Sequence, residues 1–167
     1  MRIFGVDPGS ARTGYGCIET AGNSHRVVAC GALSVPVRLP FSEKLLSLHS
    51  ALVALLARHS PEAVAVEDLF YAKNARSALK LGHVRGVVLL AASQAGIPIA
   101  EYTPAMVKKS VTGNGRADKG QVQAMVVRLL QLEGVSGPGA ADRADALAVA
   151  LCHLSGVGLQ RALDRAR

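Results

Sequence analysis

Hydrophobic positions come first in short runs bounded by turn residues and later at helical spacing, so the chain reads as a set of strands followed by alternating helices and strands. The opening run, Arg2-Ile3-Phe4-Gly5-Val6-Asp7, ends on a carboxylate and then a Pro8-Gly9 turn, which predicts a buried central strand. Pro8 has no N–H for a sheet ladder, so the strand stops at or near Asp7. Asp7 then either caps the Pro-Gly turn or stands at the end of a core strand, where open α/β sheets gather ligand chemistry. Thr13–Thr20, whose glycines permit close approach, and Arg26–Leu33 predict two further strands around a Gly22-Asn23 turn. Three strands on short connections predict an antiparallel meander.

Helical spacing begins after a proline-containing loop. Ser42 is the expected N-cap of a helix reaching about His59, with Leu45, Leu48, Leu52, Leu55 and Leu56 on one face. Ser60-Pro61 stops it, and Ala63–Val66 predicts a strand ending on Glu67 and Asp68. Strand alternation sends those two acids to opposite faces of the sheet. Leu69–Asn74 predicts a loop with adjacent aromatics, Phe70 and Tyr71, and Lys73. A long helix is expected from about Ala75 to Gln94, apolar on more than one side, with Gly82 and Gly86 open to close helix–helix approach. Its second apolar side suits either the core or a subunit interface. Gly96–Tyr102 predicts a strand, and Thr103-Pro104 the N-cap and first position of a short helix carrying Lys108 and Lys109. After Gly113-Asn114-Gly115, Asp118 is the expected cap of a helix over Lys119–Leu132, and the last helix starts near Ala140.

Composition narrows the class. At 167 residues, 50% hydrophobic and 19% charged, the chain is long enough for one domain with a full-sized core and too apolar for disorder. Aromatics are only 4%, so that core must be aliphatic. The net charge of +7 favours a polyanionic partner, although a basic soluble enzyme would carry it too. Cys17, Cys30 and Cys152 are odd in number and show no C-x-x-C spacing, which suits buried thiols in a reducing compartment better than disulfides or zinc. There is no basic n-region followed by an apolar h-region, and no apolar run long enough to span a bilayer, so the expected location is cytoplasmic, away from membranes. The expected organisation is a domain over residues 1–156 and a basic, frayed or weakly helical C-terminal tail over residues 157–167.

Four acids stand out. Asp7 and Glu67 end apolar strands, and Asp142 and Asp145, three apart, share a face of an otherwise apolar helix. Either helical acid alone would serve the macrodipole at a helix N-terminus. Four carboxylates brought together repel and raise one another's pKa, so a positive partner is needed. Lysines could supply it, but oxygen-only ligands suit Mg²⁺ or Mn²⁺ better. Two such ions about 4 Å apart form the clamp used for in-line phosphodiester cleavage. His153 lies two turns beyond Asp145, too far along the helix to share an ion.

The ordered set Gly5-Val-Asp-Pro-Gly-Ser10 with Thr13-Gly-Tyr-Gly16, Val66-Glu67 with Phe70 and Ala72-Lys73-Asn74, Ser77-Ala-Leu-Lys-Leu-Gly82 with Arg85-Gly86, Lys119 with Gln121-Val-Gln123, and Asp142 to Ala150 resembles RuvC-type Holliday junction resolvases over nearly the whole chain. A lone Asp-Pro-Gly would be weak; the whole series in order is specific. The resemblance implies an α/β, ribonuclease H-like fold, a mixed five-stranded sheet with helices on both faces. It implies that Asp7, Glu67, Asp142 and Asp145 are catalytic and bind Mg²⁺ or Mn²⁺, two ions per site. It further implies a homodimer that nicks two strands of a four-way DNA junction and leaves 5′-phosphate and 3′-hydroxyl ends. On the same pattern Phe70 stacks on an unpaired base, Lys108 and Lys119 contact phosphate, the Gly82–Gly86 helix contributes to the dimer, and RuvA and RuvB are partners in branch migration. Asp68 falls where the family pattern is not fixed and receives no metal role.

Two other readings use the same residues. A strand-terminal Asp followed by Gly and Thr also occurs in actin-like sugar kinases and ATPases, but those need a second phosphate-binding half that this chain is too short to hold. A non-catalytic junction-DNA-binding protein with structural acids would bind junctions and not nick them.

Overall fold

The computed structural model describes residues 1–22, 24–34, 38–68, 74–133 and 137–165, the last seven by their backbone. The chain runs β1 (Arg2–Asp7), β2 (Arg12–Ala21), β3 (Ser24–Ser34), α1 (Phe41–His59), β4 (Ala63–Glu67), α2 (Ala75–Gln94), β5 (Ile99–Tyr102), α3 (Pro104–Thr112), α4 (Lys119–Leu129) and α5 (Ala140–Arg165). The strands form one sheet in the order β3-β2-β1-β4-β5. The first three pair antiparallel, as the meander predicts, and β1, β4 and β5 pair parallel.

Alternation along β1 explains why it is central. Ile3 enters one core with Ile18, Ala65, Val126 and Leu147, beneath α3, α4 and α5. Phe4 and Val6 enter a second core with Leu52, Val64 and Val88, beneath α1 and α2. Fully burying a side chain of this size contributes about 1.5–3 kcal/mol, so a strand with no exposed face is anchored from both sides.

The first core depends on an unusually close helix. Gly5 lies opposite Gly16, and Asp7 opposite Gly14, across the β1–β2 ladder. A Cβ on Gly5 would stand 2.2 Å from the Ala146 carbonyl oxygen, and one on Gly14 2.1 Å from that of Asp142. The α5 backbone therefore rests on the sheet where side chains are missing. Its own small residues Ala144, Ala146, Ala148 and Ala150 are fully buried, which accounts for its alanine-rich sequence.

Some element ends differ from the sequence expectation. Helix α1 starts at Phe41 with Pro40 at the N-cap and no side-chain cap bond, so Ser42 lies inside its first turn. Phe41 meets His83 edge-on at 5.8 Å and lies under Lys80, so contacts with α2 hold this end in place of a cap. Strand β5 begins at Ile99, after Pro98. Helix α4 stops at Leu129, just before Gln131 takes a left-handed φ of 50°. Helix α5 continues to Arg165, past the expected start of the tail. Helix α2 has the expected bounds but buries one side only: Val84, Val88, Ala91 and Ala92 are covered, while Leu79 and Leu90 are more than half exposed. Among the described residues, apart from the nearby backbone of α2 itself, nothing lies within 4 Å of where a Cβ would stand on Gly82 or Gly86. Among the described residues no helix is long and apolar enough to cross a membrane.

Candidate active site

The period of two along β1 places Asp7 on the same sheet face as Ile3 and Gly5, and along β4 it places Glu67 with Ala63 and Ala65. The strands are parallel and in register through Val6 and Val66, so the two acids emerge side by side at the carboxyl ends. Helix α5 crosses this face and brings Asp145 over them. Helix α4 brings Lys119 to its first position, directly after the N-cap Asp118. There a full capping box with Gln121 fixes the helix start. Asp118→Ala is expected to cost about 1 kcal/mol, measured by denaturant unfolding, and to loosen Lys119. The resulting cleft, about 330 Å³, is lined by Asp7, Glu67, Lys108, Lys119 and Asp145 among others.

The electrostatics mark a site short of positive charge. Burial pushes Asp7 up to about 6, opposed by a hydrogen bond from Glu67 and assisted by the negative charge of Asp145. Burial pushes Glu67 up to about 8, helped by the neighbouring Asp7 charge. Glu67 thus keeps its proton and donates a hydrogen bond to the Asp7 carboxylate. Lys119 pairs with Asp145 at 2.5 Å, which raises the lysine above its ordinary range. Asp142 turns toward Arg12 at 3.8 Å and stays within electrostatic reach of Asp7.

All four predicted acids therefore meet at one end of the sheet. Asp7, Glu67 and Asp145 line the cleft, and Asp142 stands at its rim with a cationic partner. Among the described residues no three Asp, Glu, His or Cys side chains form a ready-made metal cage. In this arrangement a shared proton and Lys119 supply the positive charge. The donors are all oxygens, and two of them form a buried pair that carries a proton for want of a cation, which fits a hard divalent ion. Phe70 lies outside the described residues. The sequence gives no signal for the Arg12 partner of Asp142, because that contact needs the β2–α5 packing.

The retained protons have a measurable consequence. Between ordinary carboxylate pKa values and about 8, the folded chain holds protons that the unfolded chain has released. Unfolding then releases protons, so this pair makes the metal-free protein less stable as pH rises from about 4 through 8. Denaturant midpoints with a chelator present should show a smaller pH 5-to-8 decline in Asp7→Asn than in the unsubstituted protein.

Residues 3–153 match the family model for the crossover junction endodeoxyribonuclease RuvC. The chain belongs to the RuvC family. A crossover junction endodeoxyribonuclease RuvC from Pelotomaculum thermopropionicum is 52% identical over 153 residues, 92% of each chain. One from Alkalilimnicola ehrlichii is 48% identical over 165 residues, 99% of this chain and 98% of the relative. Among solved structures, T. thermophilus RuvC in complex with Holliday junction substrate superposes with a TM-score of 0.85 at 32% identity, covering 95% of this chain and 96% of that one. The fold of this RuvC-family chain is accordingly ribonuclease H-like, with the mixed five-stranded sheet and helices on both faces that the sequence suggests.

Proposed function

We propose that this chain is a divalent-metal-dependent endonuclease that resolves four-way DNA junctions by paired nicks, leaving 5′-phosphate and 3′-hydroxyl ends. The observation that carries this is the proton-sharing Asp7–Glu67 pair under Asp145, at parallel strand ends of a RuvC-family chain. The relative solved with a Holliday junction substrate supports the choice of DNA. Asp7, Glu67, Asp142 and Asp145 would hold Mg²⁺ or Mn²⁺, two ions per site. Bound there, the ions lower the pKa of an attacking water and stabilise the leaving 3′ oxygen.

The chain's own groups do the rest. Lys108 and Lys119 border the cleft, where an ammonium meets a phosphate as a point charge. Phe70, three residues after Glu67 in the sequence, stacks on an unpaired base. A homodimer presents two such sites to a nearly two-fold junction, with the partly exposed α2 as part of its interface. RuvA and RuvB act with it in branch migration, and the protein works in the cytoplasm.

The deciding experiment incubates a synthetic four-way junction with the protein and Mg²⁺ or Mn²⁺, beside a linear duplex of the same sequence. Paired, ligatable nicks in the junction alone are expected. Tight junction binding without nicking under either metal would favour a structural role for the acids.

A further inference from the structure

Glu67 and Asp68 are consecutive acids that strand alternation sends to opposite faces of the sheet, and only the first faces the cleft. On the far face, Asp68 meets Arg85 of α2, with Nη2 3.2 Å from its Oδ1. The same Nη2 contacts Oε2 of Glu101 on β5. The Asp68 N–H donates to the Tyr102 carbonyl, so the backbone just past Glu67 is tied to β5 as well. Arg85 and Asp68 are both largely covered, and the Arg85 Nε is buried without a hydrogen-bond partner among the described residues. The side chain is therefore held for its contacts at the tip.

We propose that Arg85 is a positioning residue for Glu67: by holding Asp68 and Glu101 together on the far face, it fixes the ends of β4 and β5 and so aims Glu67 at Asp7. This rests on the reading of Glu67 as a site acid given above. Without the guanidinium, Asp68 and Glu101 are two like charges on adjacent strand ends, and they repel across the peptide that carries Glu67. Reacting groups held to within about half an ångström lose rate steeply when their support loosens. Arg85 is separated from the cleft by the sheet, so its loss should slow cleavage without weakening the grip on the junction.

The opposite end of the sheet supplies a matched control. Arg2 of β1 also ties separate elements together there, bonding Glu19 of β2 at 2.7 Å and the carbonyl of His59, at the end of α1, at 2.6 Å, at the other end of β1 from Asp7. Single-turnover junction cleavage at saturating protein, junction affinity and thermal midpoint should be measured for Arg85→Met, Arg85→Lys, Asp68→Asn and Arg2→Met. A tenfold or greater loss of rate is expected in Arg85→Met, with junction affinity within about twofold of the original. Arg85→Lys should recover part of the rate, because one nitrogen serves both acids. Arg2→Met should lower the midpoint and keep the rate. Asp68→Asn, the mildest change, carries the test if Arg85→Met does not fold, and should slow cleavage several-fold. Unchanged rates in Arg85→Met and Asp68→Asn, equal slowing by Arg85→Met and Arg2→Met, or a loss confined to junction affinity would each overturn the proposal. No cleavage by the unsubstituted protein would remove the nuclease reading itself and the positioning role with it.

Discussion

Asp7→Asn should leave four-way junction binding within about twofold and reduce nicking by at least a hundredfold, on the order of what removing one charged or dipolar contact to a transition state costs. The substitution keeps the shape of the side chain and removes its charge. Asp7 is largely buried, accepts a hydrogen bond from Glu67, and lies within the field of Asp142, Asp145 and Lys119. Loss of its charge thus weakens the pocket's demand for cations more than a change at the rim would. Binding survives because the basic groups that attract DNA are untouched. Single-turnover cleavage beside a gel-shift titration separates the two quantities. Nicking at the original rate would remove Asp7 from the chemistry.

The second large effect concerns Gly14. A valine there would place its Cβ 2.1 Å from the carbonyl oxygen of Asp142, on helix backbone that cannot rotate away. Overpacking of well-packed cores costs about 1–3 kcal/mol and occasionally more, and a collision with backbone belongs at the upper end. Gly14→Val should therefore unfold at markedly lower denaturant, and any folded fraction should cut junctions poorly because Asp142 and Asp145 ride on the displaced helix. Gly156→Ala lies in the same helix, and among the described residues nothing outside the nearby helix backbone is within 4 Å of its Cβ position. It should stabilise the protein by about 0.5–1 kcal/mol through helix propensity alone. Equal stabilities for the two variants would contradict the close α5–sheet contact.

Strand-end acids are legible from sequence because the side-chain period of a strand is two and Pro8 stops β1 just after Asp7. The opposite facing of Glu67 and Asp68 follows from the same rule. The caps at Thr103 and Asp118 are local chemistry and appear where the sequence places them. What depends on packing between distant elements is hidden. Ser42 has the right type for a cap, yet Phe41 has partners on α2 that hold the helix start. The apolar run in α2 is visible, but which of its sides is covered is decided by the sheet beneath it. The Arg12–Asp142 and Arg85–Asp68 pairs each join residues from separate elements, and no spacing rule links them. Phe70 lies outside the described residues, so its part in the site rests on the family pattern alone.

The bare backbone at Gly5 and Gly14 sets the distance between strand acids and helix acids with no intervening side chain to absorb error. Substitutions there cannot be traded against chemistry one atom at a time. A single added methyl moves half of the carboxylates relative to the other half. Tolerance for mutation should accordingly be lowest along this glycine seam, and efforts to harden the molecule against heat will succeed only at a distance from it.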